Sequence, residues 1–197
     1  MTSGQWDDRY RAQGLVWTAD PNRFLVEAVA GLEPGSALDL ACGEGRNAVW
    51  LAANGWRVTG VDFSPVGLDK ARLLAAEAGV AVDWELADVT AWEAPARHDL
   101  VIVLYLHLDP PAVRAALRRA VAAVAPGGRL LVVGHAVRNL TDGYGGPPDP
   151  ALLYEPEQIA GELGDLSVER AEEVLRPVEV DGAVETAIDA LVLARRT

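Results

Sequence analysis

The 197-residue sequence has one cysteine, no long apolar run and few basic residues, and each shortage excludes a class of protein. The single cysteine, Cys42, excludes an intrachain disulfide framework and any zinc or iron–sulfur site built from several cysteines. The three histidines show no metal-ligand spacing, so no metal site is expected. The longest apolar run, residues 100–108, is about half of the ~20 residues that cross a bilayer, so we expect a buried strand and no membrane span.

Acidic residues outnumber basic ones, with 29 Asp and Glu against 17 Lys and Arg, for a net charge of −12. Proteins that bind phosphates of nucleic acids need a basic surface, so no nucleic-acid partner is expected. The polar start of the chain lacks the apolar core of a signal peptide, which predicts a cytoplasmic protein. A half-apolar composition at this length predicts a single domain over residues 1–197.

Short apolar runs alternate with stretches of helical periodicity, which predicts an α/β fold with a mostly parallel sheet and helices on both faces. Strands are expected at residues 37–40, 57–62, 82–86, 100–104, 129–134, 168–175 and 186–194. Helices are expected at residues 21–30, 46–53, 66–78, 112–123 and 156–163. The turn between the last two strands is too short for a helical crossover, so these strands are predicted to form an antiparallel hairpin.

Residues 139–156 interrupt this alternation with a segment rich in glycine and proline. The segment follows the fifth predicted strand, and ligands of open α/β sheets bind outside the carboxyl ends of the strands. We therefore expect a substrate-side loop at residues 139–156; the alternative is an ordinary surface loop.

A glycine-rich turn follows the first predicted strand and precedes a helix. Gly43, Gly45 and Ala48 match the pattern G-x-G-x-x-A, and Asp62 follows Gly43 by 19 residues, at the end of the second strand. This spacing suits a carboxylate that accepts hydrogen bonds from ribose hydroxyls, and it predicts an adenosine-containing ligand. The alternative is that these acids only cap neighbouring loops.

Asp39, four residues before Gly43, separates two adenosine ligands that the glycine pattern leaves open. A carboxylate is unfavourable beside a pyrophosphate and favourable beside an ammonium group. The charge at this position therefore favours S-adenosylmethionine over a dinucleotide.

These segments together resemble the class I S-adenosylmethionine-dependent methyltransferases. The resemblance is carried by DLACGEG (39–45), VDFS (61–64), ELADV (85–89), the PGG turn (126–128) and the terminal hairpin. The sequence of residues 43–64 is most similar to the small tellurite-resistance-type and thiol methyltransferase-like group. The resemblance implies a Rossmann-like fold with a seven-stranded, mostly parallel sheet, an antiparallel C-terminal hairpin, and an N-terminal segment (1–35) that covers the cofactor.

The resemblance also implies a binding site for S-adenosylmethionine, with S-adenosylhomocysteine as the product. Asp39 would lie near the methionine part, and Asp62 would hold the ribose. Arg46 would pair with the cofactor carboxylate, with Arg11 and Arg23 as alternatives. The other cofactor-binding residues implied are Ala41, Gly43, Gly45, Phe63, Asp88, Val89, Leu104 and Tyr105.

Candidate residues for the methyl acceptor come from other strand ends. His107 and His135 follow the fourth and fifth predicted strands, and histidine is the side chain best suited to exchange protons near neutral pH, so both are candidate catalytic residues. Tyr10 and Trp17, in the covering segment, and Tyr144, in the substrate-side loop, are candidate acceptor contacts.

The predicted function is methyl transfer to a small-molecule acceptor, most consistent with a thiol or another soft nucleophile, because a thiol is partly ionised without a base. The acidic hairpin, with Arg176 nearly alone, favours a neutral or cationic acceptor over an oxyanion. Alternatives are a small-metabolite O- or N-methyltransferase that uses a histidine base, an NAD(P)-binding oxidoreductase module, and a non-catalytic binding protein. The linear sequence carries no signal for an oligomeric state.

Overall fold

The computed structural model describes residues 3–12, 14–16, 18–180 and 182–197. The strands are β1 (Ser36–Leu40), β2 (Arg57–Asp62), β3 (Asp83–Leu86), β4 (His98–Leu104), β5 (Val124–His135), β6 (Ser167–Val180) and β7 (Ala183–Arg195). The helices are α1 (Ser3–Arg11), α2 (Arg23–Val29), α3 (Arg46–Ala53), α4 (Pro65–Ala78), α5 (Pro110–Ala122), α6 (Asn139–Asp142) and α7 (Pro156–Gly161). A 3₁₀ turn lies at Pro150–Leu152.

The strands form one sheet in the order β3-β2-β1-β4-β5-β7-β6. Strands β1 to β5 pair in parallel, and β7 runs antiparallel to both β5 and β6. The predicted seven-stranded, mostly parallel sheet with a C-terminal hairpin is confirmed. Because β2 and β4 lie on opposite sides of β1, the strand order reverses there, and open α/β sheets form a ligand crevice at the carboxyl ends of strands at such a point.

Helices cover both faces of the sheet because side chains alternate along each strand. Leu38 belongs to the face that packs on α5, where it shares a buried cluster with Leu117. Ala37 belongs to the opposite face, which packs on α2 and α3 and includes Leu51. Asp39, two residues after Ala37, therefore continues the α2–α3 face at the carboxyl end of β1.

Element boundaries depart from the sequence prediction where distant segments pair. Strand β5 begins at Val124, before the predicted 129, because Gly127 and Gly128 exchange backbone hydrogen bonds with Arg196. Strands β6 and β7 continue to the tip of the hairpin, where Asp181 lies outside the described residues. The substrate-side loop predicted at residues 139–156 contains α6 and the 3₁₀ turn.

Helices α4 and α5 each begin after a residue whose side chain caps the helix. The Ser64 hydroxyl accepts a hydrogen bond from the N–H of Gly67 (3.0 Å), and the Asp109 carboxylate accepts one from the N–H of Ala112 (3.0 Å). Proline occupies the first turn of both helices, where its missing N–H costs nothing. Among the described residues, no helix is both long and apolar enough to cross a bilayer.

Candidate functional site

The loop between β1 and α3 depends on unusual backbone conformations. Ala41, Gly43 and Gly45 all have positive φ, at 62°, 55° and 80°. A Cβ on Gly45 would lie 2.6 Å from side-chain atoms of both Ala71 and Trp84. Only glycine fits at position 45, because both the conformation and the space exclude a side chain.

Hydrogen bonds to Asp62 connect this loop to the end of β2. The Asp62 carboxylate accepts hydrogen bonds from the N–H of Gly43 (2.8 Å) and of Ser64 (2.9 Å), and the residue is 3% exposed. Burial raises the pKa of Asp62, while the backbone hydrogen bonds from Ser64 and Gly43 oppose the rise. The 19-residue spacing between Gly43 and Asp62 thus corresponds to a hydrogen bond between them. Asp62 caps the glycine loop in the structure.

Asp39 is the buried carboxyl group of the site. It is 1% exposed, and its Oδ2 has no hydrogen-bond partner among the described residues. Burial raises its pKa to about 7, and the nearby Asp62 charge raises it too, while Arg46 opposes the change. A buried carboxylate oxygen without a donor is costly unless a ligand supplies one, so Asp39 has the properties of a cation-binding residue.

Of the three arginines considered for the cofactor carboxylate, Arg46 is the one that lies at the glycine loop. It is the first residue of α3, and burial and the Arg176 charge lower its pKa, while the Asp39 charge opposes them. Arg11 instead lies on the surface, where it forms an ion pair with Asp8 (3.1 Å). Arg23 is also exposed. The structure therefore favours Arg46 over both alternatives.

Helix α1 covers the glycine loop. Tyr10 is 5% exposed, and a Cβ on Gly43 would lie 2.8 Å from its hydroxyl. The helix is anchored to the end of β2 by a hydrogen bond from the Ser64 hydroxyl to Asp7, which is itself buried. No helix was predicted at residues 3–11, since α1 owes its position to these contacts with distant residues. Trp17 lies outside the described residues.

The remaining predicted cofactor residues occupy the carboxyl edge of the sheet. Phe63 is partly buried, directly after β2, and Leu104 is buried at the end of β4. Val89 is buried in the core. Asp88 is exposed, and its carboxylate accepts hydrogen bonds from the N–H (2.9 Å) and hydroxyl (2.7 Å) of Thr90, so in this structure Asp88 caps a turn.

A second group of polar residues, which we call the histidine cluster, lies at the ends of β4 and β5 and on the hairpin. Its members are Tyr105, His107, His135, Arg176 and Asp189. The two imidazole rings are stacked, with centroids 5.4 Å apart and an interplanar angle of 19°. The Tyr105 ring lies 5.2 Å from that of His135, and the Arg176 guanidinium lies 5.6 Å from the Tyr105 ring centroid. The fold thus brings together both histidines predicted from the sequence.

Asp189 is the centre of this cluster, and sequence reasoning missed it. It accepts hydrogen bonds at Oδ2 from the Tyr105 hydroxyl (2.8 Å) and Arg176 Nε (2.7 Å). Its Oδ1 lies 3.2 Å from His135 Nδ1, although the N–H is not aligned for a full hydrogen bond. Burial would raise the pKa of Asp189, but the close approach of His135 and the hydrogen bond from Arg176 hold the pKa below the ordinary value. The sequence signal that could have identified Asp189 is a single acidic residue within the apolar run of β7.

His107 differs from His135 in its partners. Its Nδ1 lies 2.8 Å from the Leu152 carbonyl oxygen, which only accepts hydrogen bonds, so Nδ1 carries the proton. Its Nε2 is buried and has no partner among the described residues. Burial lowers the pKa of His107 to about 4, with a smaller opposing effect of the Leu152 hydrogen bond. His107 is therefore a neutral imidazole at neutral pH.

The loop at residues 139–156 covers the histidine cluster. A Cβ on Gly146 would lie 2.9 Å from ring atoms of His135, and Leu152 contacts His107. Tyr144 is 42% exposed, and its N–H donates to the Thr186 carbonyl (2.9 Å). The loop reaches both histidines with its backbone, whereas the Tyr144 side chain stays largely in solvent.

Two adjacent glycines allow a test of this loop contact. Gly146 and Gly145 both have left-handed φ, but a Cβ on Gly145 would meet nothing within 4 Å. Replacing either with alanine is expected to cost about 1–2 kcal/mol of stability through backbone strain. Only Gly146→Ala should displace His135, which thermal unfolding together with the ring NMR signals of the three histidines would measure. Equal shifts of the His135 signals in both variants would contradict the contact.

The glycine-loop residues and the histidine cluster share one edge of the sheet. Arg46 is influenced electrostatically by Tyr105 and Arg176 as well as by Asp39. The two groups therefore form the neighbouring halves of one site. The part of the chain that the structure describes contains no group of His, Cys, Asp and Glu arranged to hold a metal ion.

Comparison with known proteins shows that residues 37–128 match the methyltransferase domain family. The ubiquinone biosynthesis O-methyltransferase of Pseudomonas aeruginosa (strain UCBPP-PA14) is 34% identical over 133 residues, which cover 65% of this chain and 56% of that protein. This chain thus spans little more than half the length of the curated relatives it matches.

Solved structures share the fold over nearly the whole chain. A protein from work on the conversion of a disulfide bond into a thioacetal group during echinomycin biosynthesis has a TM-score of 0.80 and 24% identity, over 100% of this chain and 92% of that one. The N-methyltransferase NodS of Bradyrhizobium japonicum WM9, bound to S-adenosyl-L-homocysteine, has a TM-score of 0.75 and 19% identity, over 100% and 99%. TehB of Haemophilus influenzae has a TM-score of 0.74 and 19% identity, over 89% and 62%.

Proposed function

We propose that this chain is an S-adenosylmethionine-dependent methyltransferase that methylates a small molecule, a proposal supported by the match of residues 37–128 to the methyltransferase domain family. The reacting atom of the acceptor carries a proton at neutral pH, as a hydroxyl does. The pairing of His135 with the buried Asp189 is the observation that carries this choice of acceptor.

The glycine-loop half of the site fits S-adenosylmethionine. The unpartnered Oδ2 of Asp39 suits the ammonium group of the methionine part, and Arg46 suits its carboxylate. Asp62 would hold the ribose through oxygen lone pairs that its two backbone hydrogen bonds leave free, and Phe63 would pack on the adenine. The other predicted residues, Ala41, Gly43, Gly45, Asp88, Val89, Leu104 and Tyr105, stay proposals for the same ligand.

Methyl transfer requires the protein mainly to position the methyl donor and the acceptor. S-adenosylmethionine supplies a methyl carbon that its sulfonium sulfur already activates. The protein then contributes alignment of the two reactants and removal of water, which can account for most of the acceleration. Helix α1 with Tyr10 over the glycine loop, and the substrate-side loop over the histidines, would exclude water from both halves of the site.

The acceptor-side residues favour a group that must lose a proton. A thiol with a pKa near 8.5 is partly ionised without help, whereas a hydroxyl needs a base close to the reacting atom. His135, whose Nδ1 faces a carboxylate, supplies such a base. The relatives' name, O-methyltransferase, agrees with this choice. A thiol or other soft acceptor stays the second candidate, since the same site also admits a nucleophile that needs no base.

Binding and product analysis test this proposal in two steps. Isothermal titration is expected to show saturable binding of S-adenosylmethionine and S-adenosylhomocysteine and none of NADH. Mass spectrometry of reactions with phenols and the matching thiophenols should then show methylated phenols as the better products. Binding of NADH with no binding of the sulfur ligands would exclude the methyltransferase function.

A histidine outside the site supplies the matched control. His135→Gln should reduce methylation of phenols at unchanged S-adenosylhomocysteine affinity. His98→Gln alters a histidine at the opposite end of β4 and should leave the ratio of phenol to thiophenol products unchanged. If both variants methylated only thiophenols, and to the same extent, the acceptor would be a thiol and not a hydroxyl.

A further inference from the structure

The strand register sets three residues of the histidine cluster side by side. His135 and Asp189 are direct partners across the antiparallel β5–β7 pair. Arg176 pairs with Ala187 on β6–β7, so it lies diagonally opposite Asp189 on the same face. Direct and diagonal cross-strand neighbours are close enough for side chains to bond. The arrangement therefore belongs to the sheet and does not depend on a loop.

The Asp189 carboxylate is buried, ionised and fixed in place by hydrogen bonds. It is 0% exposed, and Arg176 Nε and the Tyr105 hydroxyl both donate to Oδ2. These two bonds leave Oδ1 facing His135 Nδ1 at 3.2 Å. An ionised carboxylate can only accept hydrogen bonds, so it favours the imidazole tautomer with the proton on Nδ1.

We propose that Asp189 is a positioning residue that holds His135 in the Nδ1-protonated tautomer, so that Nε2 accepts the proton of the methyl acceptor. Arg176 and Tyr105 keep the Asp189 carboxylate ionised and fixed. This inference rests on the proposed function, because it assigns the base of that reaction. The imperfect alignment of Nδ1–H with Oδ1 is typical of catalytic hydrogen bonds before the substrate is bound.

The same contacts separate the roles of the two histidines. His135 Nε2 has no hydrogen-bond partner among the described residues, and it lacks the full burial that isolates Nε2 of His107. The groups that face His135 are Tyr105, His107 and Asp189, and Arg176 donates a hydrogen bond to Asp189. Only Asp189 among them is an anion that can balance an imidazolium. His107 has a carbonyl partner and no carboxylate, so it is a neutral acceptor of hydrogen bonds and not the base.

The proton transfer balances within the site. As the acceptor oxygen bonds to the methyl carbon and the carbon–sulfur bond breaks, the acceptor proton moves to His135 Nε2. The products are the methylated acceptor and S-adenosylhomocysteine, with a protonated His135 whose charge faces Asp189. His135 then returns the proton to solvent.

Nitrogen-15 NMR of the three histidine rings tests the assignment without any knowledge of the acceptor. The wild-type protein is expected to show His135 with its proton on Nδ1, assigned from the signals that His135→Gln removes. Asp189→Asn, whose amide can donate to Nδ1, should move His135 toward the Nε2-protonated tautomer. A wild-type His135 that carries its proton on Nε2 would overturn the proposal, even if Asp189→Asn does not fold.

Turnover supplies the second readout. Asp189→Asn should lower the rate with a phenol by about 10²–10⁴-fold, the usual contribution of a general base, and change the rate with the matching thiophenol by less than about fivefold. Arg176→Gln retains Asp189, so it should retain the Nδ1 tautomer. Equal losses with both acceptors and an unchanged tautomer would mean that Asp189 only supports the hairpin. Titration with S-adenosylhomocysteine distinguishes failure of the proposed function from failure of this inference. If the protein did not bind S-adenosylhomocysteine, the methyltransferase function would be wrong, but the NMR result on the His135 tautomer would still hold.

Discussion

Replacing Asp39 with asparagine is expected to stabilise the ligand-free protein and to weaken S-adenosylhomocysteine binding. The buried carboxyl has a pKa of about 7, well above that of an unfolded chain, because burial and the Asp62 charge oppose its ionisation. A carboxyl whose pKa is raised on folding costs stability progressively as the pH rises from about 4 to 7. A neutral amide removes that cost, so stability should increase by up to about 4 kcal/mol at pH 8 and by little at pH 4.

The same substitution should weaken ligand binding by about 10- to 100-fold, the usual value of a hydrogen bond to a charged group. The ammonium group binds the ionised form of Asp39 more tightly than the neutral form. Wild-type affinity should therefore decrease as the pH falls below 7, by no more than the same 10- to 100-fold, and stay level above it, because binding below pH 7 is coupled to release of a proton. Calorimetric titration between pH 5 and 8, with urea unfolding of the free protein, would measure both effects. Asp39→Asn should abolish the pH dependence.

Asp99 offers a matched control at the opposite end of the sheet. Its carboxylate accepts hydrogen bonds from the Ser36 N–H (2.8 Å) and hydroxyl (2.7 Å), which lower its pKa. Asp99→Asn should therefore lose stability and leave ligand affinity unchanged. If Asp39→Asn destabilised the protein as Asp99→Asn does, Asp39 would be a structural residue and its assignment to the ligand would be wrong.

Removing the Asp62 side chain should abolish cofactor binding and destabilise the fold together. Asp62→Ala leaves the buried N–H groups of Gly43 and Ser64 without their acceptor, at about 1–3 kcal/mol each. It also releases the glycine loop and removes the proposed ribose contact. We expect a loss of about 2–6 kcal/mol in the free energy of unfolding and no measurable S-adenosylhomocysteine binding, by urea titration and calorimetry.

Two further variants separate the effect on the loop from the effect on the ligand. Asp62→Asn keeps one carbonyl oxygen, so it should recover part of the stability and less of the affinity. Asp99→Ala also removes a carboxylate with two hydrogen bonds and should lower stability without touching the ligand. Wild-type affinity in Asp62→Ala would assign Asp62 to the loop alone.

Local patterns in the sequence were enough to predict the fold class and the first half of the site. Strand β1, the glycine turn and α3 are contiguous, so their order alone sets Gly43 and Gly45 beside Asp39. Asp62 ends the adjacent parallel strand, and parallel strands present their carboxyl ends at one edge. The resemblance read from these segments agrees with the match of residues 37–128 to the methyltransferase domain family.

Contacts between distant segments lie beyond such patterns. Helix α1 has no strong periodicity, and its position depends on Asp7 and Tyr10 meeting Ser64 and Gly43 about 30 to 60 residues away, which local spacing does not encode. Asp39 was predicted as a site residue, but its raised pKa depends on burial by both neighbouring strands and helices, a property of the packed fold alone.

Local sequence patterns predict the succession of strands and helices, the glycine loop and its two acids, because these depend on local periodicity and on neighbouring parallel strands. The same patterns place His107 and His135 at strand ends. The position of Asp189 opposite His135, with Arg176 beside it, follows from the folded sheet alone, since a shift of one residue in the β5–β7 register would turn these side chains to opposite faces of the sheet. That register is determined by packing of the whole sheet.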